Sequence, residues 1–172
     1  MFKKILAMFA MCVGLASTAQ AAPISTETWY LGSFSALGGP VTGGASGGGA
    51  ADPGAPAWTF ALADSHVISV FDCCVLGDAF EVFDFGVSLG ISTIGTTTCG
   101  ITVVGCGTVA GTGRGDFLLG AGAHSITMTV ASFVSPGDMF FIVKDVADVP
   151  EPASLMLAGL ALTALGFTRR RT

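Results

Sequence analysis

The sequence predicts an all-β domain, an antiparallel β-sandwich of the jelly-roll type, flanked by an N-terminal signal peptide and a C-terminal transmembrane helix. Between residues 22 and 148, short runs rich in Val, Ile and aromatic residues are separated by turns of Gly, Pro, Asp and Ser, which is typical of such folds. No stretch of this region shows a helical hydrophobic period. Both ends of the chain are apolar and carry basic residues.

The first half of the middle region predicts five strands. They are residues 28–34, 58–62, 67–71, 80–83 continued by Phe85, and 87–91. Asp64-Ser65 and Gly77-Asp78 are turn signals between them. Residues 37–56 are mostly Gly, Ala, Pro and Ser; because they offer little apolar surface to bury, they predict a mobile loop.

The second half begins with a Gly- and Thr-rich stretch, residues 92–115, that contains the apolar run 101–104. A brief strand is predicted at 117–119. Residues 125–130 alternate, which places Ile126, Met128 and Val130 on the core side. Residues 139–143 are apolar on both faces, as expected of a central strand.

The first 21 residues predict a signal peptide. Lys3 and Lys4 form a positive start, residues 5–15 are apolar, and Ala19-Gln20-Ala21 is a small-x-small cleavage site. We expect cleavage after Ala21, which leaves residues 22–148 as the exported domain.

The last 24 residues, 149–172, predict a stalk, a short membrane helix and a basic stop. The prolines of the stalk favour extended backbone; the stalk is Val149, Pro150, Glu151 and Pro152. Residues 155–167 carry no charge and are apolar on all sides, as a helix surrounded by lipid would be. The stop is Arg169, Arg170 and Arg171, which suits a cytoplasmic membrane face.

Pro-Glu-Pro, a short apolar helix and terminal arginines together resemble the PEP-CTERM sorting signal of Gram-negative bacteria, over residues 149–172. The resemblance implies that an exosortase, a membrane protease-transferase, recognises the motif and removes the helix. It implies export through the inner membrane, transient anchoring there, and delivery to the cell surface or to an extracellular matrix rich in polysaccharide. Short runs of the middle region are loosely similar to the bodies of other small PEP-CTERM proteins, which implies a sandwich and no particular activity; they are residues 58–60, 70–72, 77–86 with Gly90, 117–120 and 122–127.

The exported domain is strongly acidic. Its two basic residues, Arg114 and Lys144, against eleven acidic residues give residues 22–148 a net charge of −9. This charge excludes nucleic acid and an anionic membrane surface as favourable partners.

Four cysteines remain after signal cleavage: Cys73, Cys74, Cys99 and Cys106. An even number in an oxidising compartment favours two disulfides, with three pairings to choose from. Because ring closure between neighbours strains the peptide bond, we expect Cys73 and Cys74 each to join one of the other two. The spacing does not match a zinc site.

Two groups of side chains are candidates for functional sites. Carboxylates at strand ends and turns can bind calcium. The simpler interpretation is that they are solvated surface groups. The carboxylates in question are Asp72, Asp78, Glu81 and Asp84. For catalysis, Asp64-Ser65-His66 contains the residue types of a triad, but consecutive residues are badly placed for triad geometry. We therefore expect no enzyme and no cofactor other than calcium.

Two functions remain for the exported domain. One is a structural protein of the cell envelope or exopolysaccharide matrix. The other is a module that binds sugar or calcium, which exposed aromatic rings beside acidic residues would favour. The candidate rings are Trp29, Tyr30 and Trp58, and for Trp58 we favour core packing.

Overall fold

The computed structural model describes residues 22–146; the predicted signal peptide and the predicted sorting signal, with its proline motif and arginines, lie outside the described residues. Within residues 22–146 the chain forms ten strands and one short helix. In order they are β1 (Ala22–Pro23), β2 (Trp29–Phe34), β3 (Thr42–Gly43), β4 (Trp58–Leu62), β5 (His66–Asp72), β6 (Ala79–Asp84), β7 (Val87–Ile91), α1 (Val103–Thr108), β8 (Arg114–Leu119), β9 (Gly122–Ser132) and β10 (Gly137–Asp145). The all-β prediction is confirmed for this part of the chain.

The strands form two five-stranded sheets. The first sheet has the order β1-β4-β9-β6-β7 and the second has the order β3-β2-β10-β5-β8. Neighbours pair antiparallel, except that β1 lies parallel to β4, so the first sheet is mixed rather than purely antiparallel. The architecture is consistent with a β-sandwich.

Apolar side chains of both sheets meet in one inner core. Alternation along each strand sends every second side chain to this side. The principal members are Tyr30, Phe34, Trp58, Ile68, Val70, Phe80, Val82, Ile126, Met128, Met139, Phe141 and Val143. Trp58 lies against Phe141 with ring centroids 4.8 Å apart, which joins the two sheets at the centre of the core.

β10 lies between β2 and β5, which confirms the prediction of a central strand at residues 139–143. Its inward side chains, such as Phe141, contact the inner core, while Phe140 and Ile142 lie on the opposite face and are also buried. β5 is buried at every position. The outer faces of β10 and β5 are therefore both covered.

We call the apolar group on that face the outer cluster. It consists of Leu31, Ala50, Phe71, Cys73, Cys99, Cys106, Phe140 and Ile142, with Trp29 and Val103 packed against it. The cover comes from two irregular segments, one around Ala50 and one containing α1. They are joined to each other by the Val103 N–H, which donates to the Gly48 carbonyl at 3.0 Å.

Two details differ from the sequence-based expectations. The segment 37–56 contains the short strand β3, and its Val41 is fully buried in the inner core, so the segment buries apolar surface after all; its mobility stays a prediction. The six-residue helix α1 lies in a stretch where no helical period was expected, because one helical turn is too short to create a hydrophobic period. Across residues 22–146, no helix combines the length and the apolar character needed to cross a membrane.

Candidate functional sites

The cysteine pairing differs from the prediction. Cys99 is bonded to Cys106, with their Cα atoms 4.4 Å apart, so the expected link from each of them to the Cys73-Cys74 pair is wrong. The turn of α1 brings Cys106 back to Cys99. Gly105 allows this return, because a Cβ at that position would collide with the Cys99 carbonyl oxygen. Sequence reasoning missed the turn and therefore missed the pairing.

Cys73 and Cys74 lie next to each other at the end of β5, outside this disulfide. Their sulfur atoms are 2.6 Å apart; Cys73 is buried and Cys74 is exposed. Burial, with a further contribution from the Cys74 thiol, raises the pKa of the Cys73 thiol. Cys74 has a φ of 74°, in the left-handed region that residues other than glycine seldom adopt.

Cys73 and Cys74 both border a cavity of about 210 Å³ on the outer face of the second sheet. Its wall is mainly apolar, and Asp138 is its one acidic residue; the lining is Leu31, Gly47, Gly48, Cys73, Cys74, Ile101, Asp138 and Phe140. The Asp138 carboxylate already accepts a hydrogen bond from the Ser33 hydroxyl at 2.6 Å.

Asp72 and Asp78 are both buried, where β5 ends and before β6 begins. Asp72 Oδ2 accepts the Asp78 N–H at 3.3 Å, and Asp78 Oδ1 accepts the Val134 N–H at 2.7 Å. The other oxygen of Asp72, Oδ1, has no hydrogen-bond partner among the described residues. Burial, and then the negative charge of Asp78, raise the pKa of Asp72 to about 7.

The other two predicted calcium ligands lie with partners of their own. Asp84 accepts hydrogen bonds from the His124 ring at 2.8 Å and from the Ser125 N–H at 2.9 Å. Glu81 accepts the Ser88 hydroxyl at 2.6 Å. The four carboxylates thus divide among separate local networks and do not meet as one group of ligands in the described residues. Calcium binding by this set stays a prediction.

A group of metal-ligating side chains that the sequence did not reveal is Asp64, His66 and Asp145. One ligand atom of each lies within 4.8 Å of the others. His66 Nδ1 is 3.2 Å from Asp64 Oδ1, and His66 Nε2 is 2.9 Å from Asp145 Oδ1. The ring is buried, with its side chain 10% exposed, whereas the two carboxylates are 77% and 58% exposed.

The fold assembles this group from two distant parts of the chain. Asp64 belongs to the turn before β5, and the antiparallel register of β5 with β10 places Asp145 opposite His66. Asp64 and Asp145 also border an open cleft with Ser65 and Val146. The signal that would have identified the group is this register, which local patterns in the sequence do not specify.

The candidate aromatic rings do not form an exposed face. Trp58 is fully buried, which confirms core packing, and Tyr30 is 6% exposed. The Tyr30 hydroxyl oxygen accepts the Ser25 N–H at 2.7 Å. Trp29 is half-buried against Phe71, with ring centroids 5.2 Å apart. None of the three rings therefore stands free on the surface to stack on a sugar.

Comparison with known protein families finds a match in the tail. Residues 148–171 match the PEP-CTERM protein-sorting motif. The chain carries a PEP-CTERM sorting signal. This confirms the resemblance seen over residues 149–172, and the PEP-CTERM motif implies a secreted surface protein with an exosortase as its processing partner.

No curated protein matches the chain. Among solved structures, the chain is similar to the pre-peptidase C-terminal domain of a collagenase from Bacillus anthracis, with 15% sequence identity over 73% of this chain and 95% of that one and a TM-score of 0.38. A structural similarity this low gives no information about function.

Proposed function

We propose that the protein is an exported structural component of the cell envelope or of its exopolysaccharide matrix. The observation that carries this proposal is the PEP-CTERM motif directly after the last strand of a β-rich domain. In this proposal residues 1–21 direct export, residues 155–167 hold the chain in the inner membrane, and the exosortase then removes that helix. The delivered protein is residues 22–148 with what remains of the stalk.

The contacts of the ionisable side chains support a structural role rather than catalysis. The His124 ring is held between Asp84 and the Gly120 carbonyl, at 2.8 and 2.9 Å. Arg114 forms a salt bridge with Asp116 at 2.8 Å and lies over the Phe71 ring at 5.0 Å. These side chains link strands and loops, and the proposal assigns them no chemical step.

The experiment is mass spectrometry of the native C-terminus in cells with and without the exosortase. In wild-type cells we expect a surface or matrix protein that lacks residues 155–172. In exosortase-deficient cells we expect the tail to remain and the protein to stay in the inner membrane. Wild-type protein that ends in an intact Thr172 would contradict the sorting step.

Two variants refine this test. Replacement of Pro150, Glu151 and Pro152 by Ala removes the sorting motif and should reproduce the exosortase-deficient result. Glu81→Ala changes an acidic side chain of the domain and should be sorted normally. For the matrix role, digestion of the exopolysaccharide should release the wild-type protein; protein that stays with washed cells after digestion would contradict it.

A second candidate function is binding of a divalent transition metal by Asp64, His66 and Asp145. The specific observation is their convergence within 4.8 Å. An imidazole nitrogen with two carboxylates suits zinc or manganese better than calcium, which prefers oxygen ligands. A bound ion would replace the contact that one ring nitrogen now makes with a carboxylate.

Calorimetric titration with zinc, manganese and calcium chlorides tests this candidate. We expect heat with a transition metal, and the loss of that heat in His66→Ala. His124→Ala is the matched control, because His124 is also a buried histidine that contacts an aspartate but stands in no group of three ligands among the described residues. Equal binding by both variants would contradict the site.

A further inference from the structure

Among the cysteines of the described residues, the two outside the Cys99–Cys106 disulfide are already arranged as a pair. We propose that Cys73 and Cys74 form a disulfide with each other in the exported protein. An S–S bond is about 2.05 Å long, and the two sulfurs are 2.6 Å apart, so a small rotation of the side chains brings them to bonding distance. Within residues 22–146 each is the other's available partner, because Cys99 and Cys106 are bonded together.

The backbone at this position accommodates the link. Cys74 already has a φ of 74°, a conformation that costs free energy for a residue with a Cβ and that persists where the surroundings impose it. Before the pair, the Asp72 N–H donates to the Gly113 carbonyl at 2.9 Å; after it, the Val75 N–H donates back to the Cys73 carbonyl at 2.8 Å. These contacts hold both cysteines at the edge of the cavity.

The extracytoplasmic compartment supplies the oxidant that this disulfide requires. The sorting signal implies a secreted protein, and secreted proteins meet disulfide-bearing oxidants. The exposed Cys74 thiolate attacks the disulfide of such an oxidant, either a small molecule or a protein, and releases one of its thiols. The Cys73 sulfur then attacks Cys74 in this mixed disulfide and releases the second thiol. Two protons and two electrons leave the cysteines, and the oxidant's disulfide becomes two thiols.

The link between neighbours is expected to be easier to reduce than the other disulfide. Consecutive Cα atoms are about 3.8 Å apart, which is below the usual range of about 4.4–6.8 Å for disulfides, and such departures make the bond more reducible. The Cys99–Cys106 pair, at 4.4 Å, lies inside that range and is buried. The exported domain would thus contain one readily reduced and one resistant disulfide, and both contribute cysteines to the outer cluster.

The bond also changes the cavity wall. Two thiol donors become one apolar disulfide beside Leu31, Ile101 and Phe140. Asp138 stays the one acidic residue of the wall, and the loss of two thiol donors makes the cavity more apolar.

The test uses protein recovered from its own bacterium, quenched in acid and alkylated without reductant. Peptide mapping should find Cys73 and Cys74 unalkylated in a peptide lighter by two hydrogen atoms than the dithiol form. In a titration with dithiothreitol, these two should become alkylated before Cys99 and Cys106. Alkylation of Cys73 and Cys74 without reductant would overturn the proposal, and so would peptides that link either of them to Cys99 or Cys106.

Two sets of variants complete the test. Cys73→Ser and Cys74→Ser should each leave a single thiol that alkylates once the chain is denatured. In the double variant Cys99→Ser with Cys106→Ser, Cys73 and Cys74 should still be joined, since their proximity does not depend on exchange with the other disulfide. Free thiols at both positions in that variant would also overturn the proposal.

Discussion

On the first sheet, the outward side chains of β9 include Ser125, Thr127 and Thr129, and all three are half-buried and polar. On the second sheet, the outward side chains of β10 include Phe140 and Ile142, which are buried. The two sheets share one inner core, so their difference lies on the outside. A sheet face can be covered by irregular chain instead of a further layer of helices or strands, provided that this chain supplies apolar side chains of its own.

The cover depends on different interactions from those of the inner core. Segments without continuous backbone ladders must be held by individual links. Here the links are the Cys99–Cys106 disulfide and single backbone hydrogen bonds such as Val103 to Gly48. The outer cluster is therefore the part of the domain where a single covalent bond matters most.

The largest expected effect tests whether the outer cluster is a true core. Phe140 and Phe141 are adjacent, lie on opposite faces of β10 and are at most 1% exposed. Phe140→Ala and Phe141→Ala should each lower the free energy of unfolding by about 3–5 kcal/mol, as measured by urea denaturation. Thr127→Ala on the outer face of the first sheet is the control, with an expected loss of about 1 kcal/mol or less. A Phe140→Ala effect as small as the control would contradict a packed outer cluster.

The next effect compares the carboxylates that end β5 and β6. Because the pKa of Asp72 is raised to about 7, its contribution to stability is complete below the unfolded pKa of about 3.8 and is lost as the pH rises through about 7. The free energy of unfolding should fall by roughly 2–4 kcal/mol over this interval.

Asp72→Asn, which keeps the side chain neutral, should remove most of this pH dependence in denaturation measured from about pH 4 to 8. Asp84→Asn is the matched control, because Asp84 is hydrogen-bonded by His124 and Ser125, and it should retain the fall. An unchanged pH profile in Asp72→Asn would assign the dependence to another group.

A smaller effect tests the disulfide that holds the cover. Cys99 and Cys106 are seven residues apart, and closing a loop of that size stabilises by about 2.5 kcal/mol in the chain-entropy treatment. The double Ser variant should lose about that much. Hydrogen exchange should accelerate in residues 92–113 and stay slow in β9. Uniform acceleration through both sheets would show that the cover and the inner core unfold together.

The smallest effect marks where the cover ends. Leu118 points outward from the edge strand β8 and is 67% exposed. Leu118→Thr should change the free energy of unfolding by about 0.5 kcal/mol or less, in contrast with Phe140→Ala. A loss comparable to that of Phe140→Ala would extend the outer cluster across β8.

Most strands could be predicted because their signals are local. Trp58–Leu62 and Val87–Ile91 have the predicted bounds, and the alternation predicted at 125–130 lies within the longer strand β9, where burial alternates from His124 to Val130. Val41 was missed because a single valine among glycines gives no periodic signal, and its burial depends on the other sheet. The cysteine pairing was missed for a similar reason, since it required a turn of helix that pairs two cysteines close in sequence.

The amino-acid sequence alone predicts the all-β class, the central position of residues 139–143 and the sorting signal. Each of these depends on neighbouring residues: on alternation, on a continuous apolar run and on a contiguous motif. Three features depended on the folded chain: the outer cluster, the choice of cysteine partners, and the meeting of Asp64 and His66 with Asp145. Each of them joins residues through strand register or through the path of a loop. Those are set by the combined burial of many distant side chains, and no short stretch of sequence contains that information.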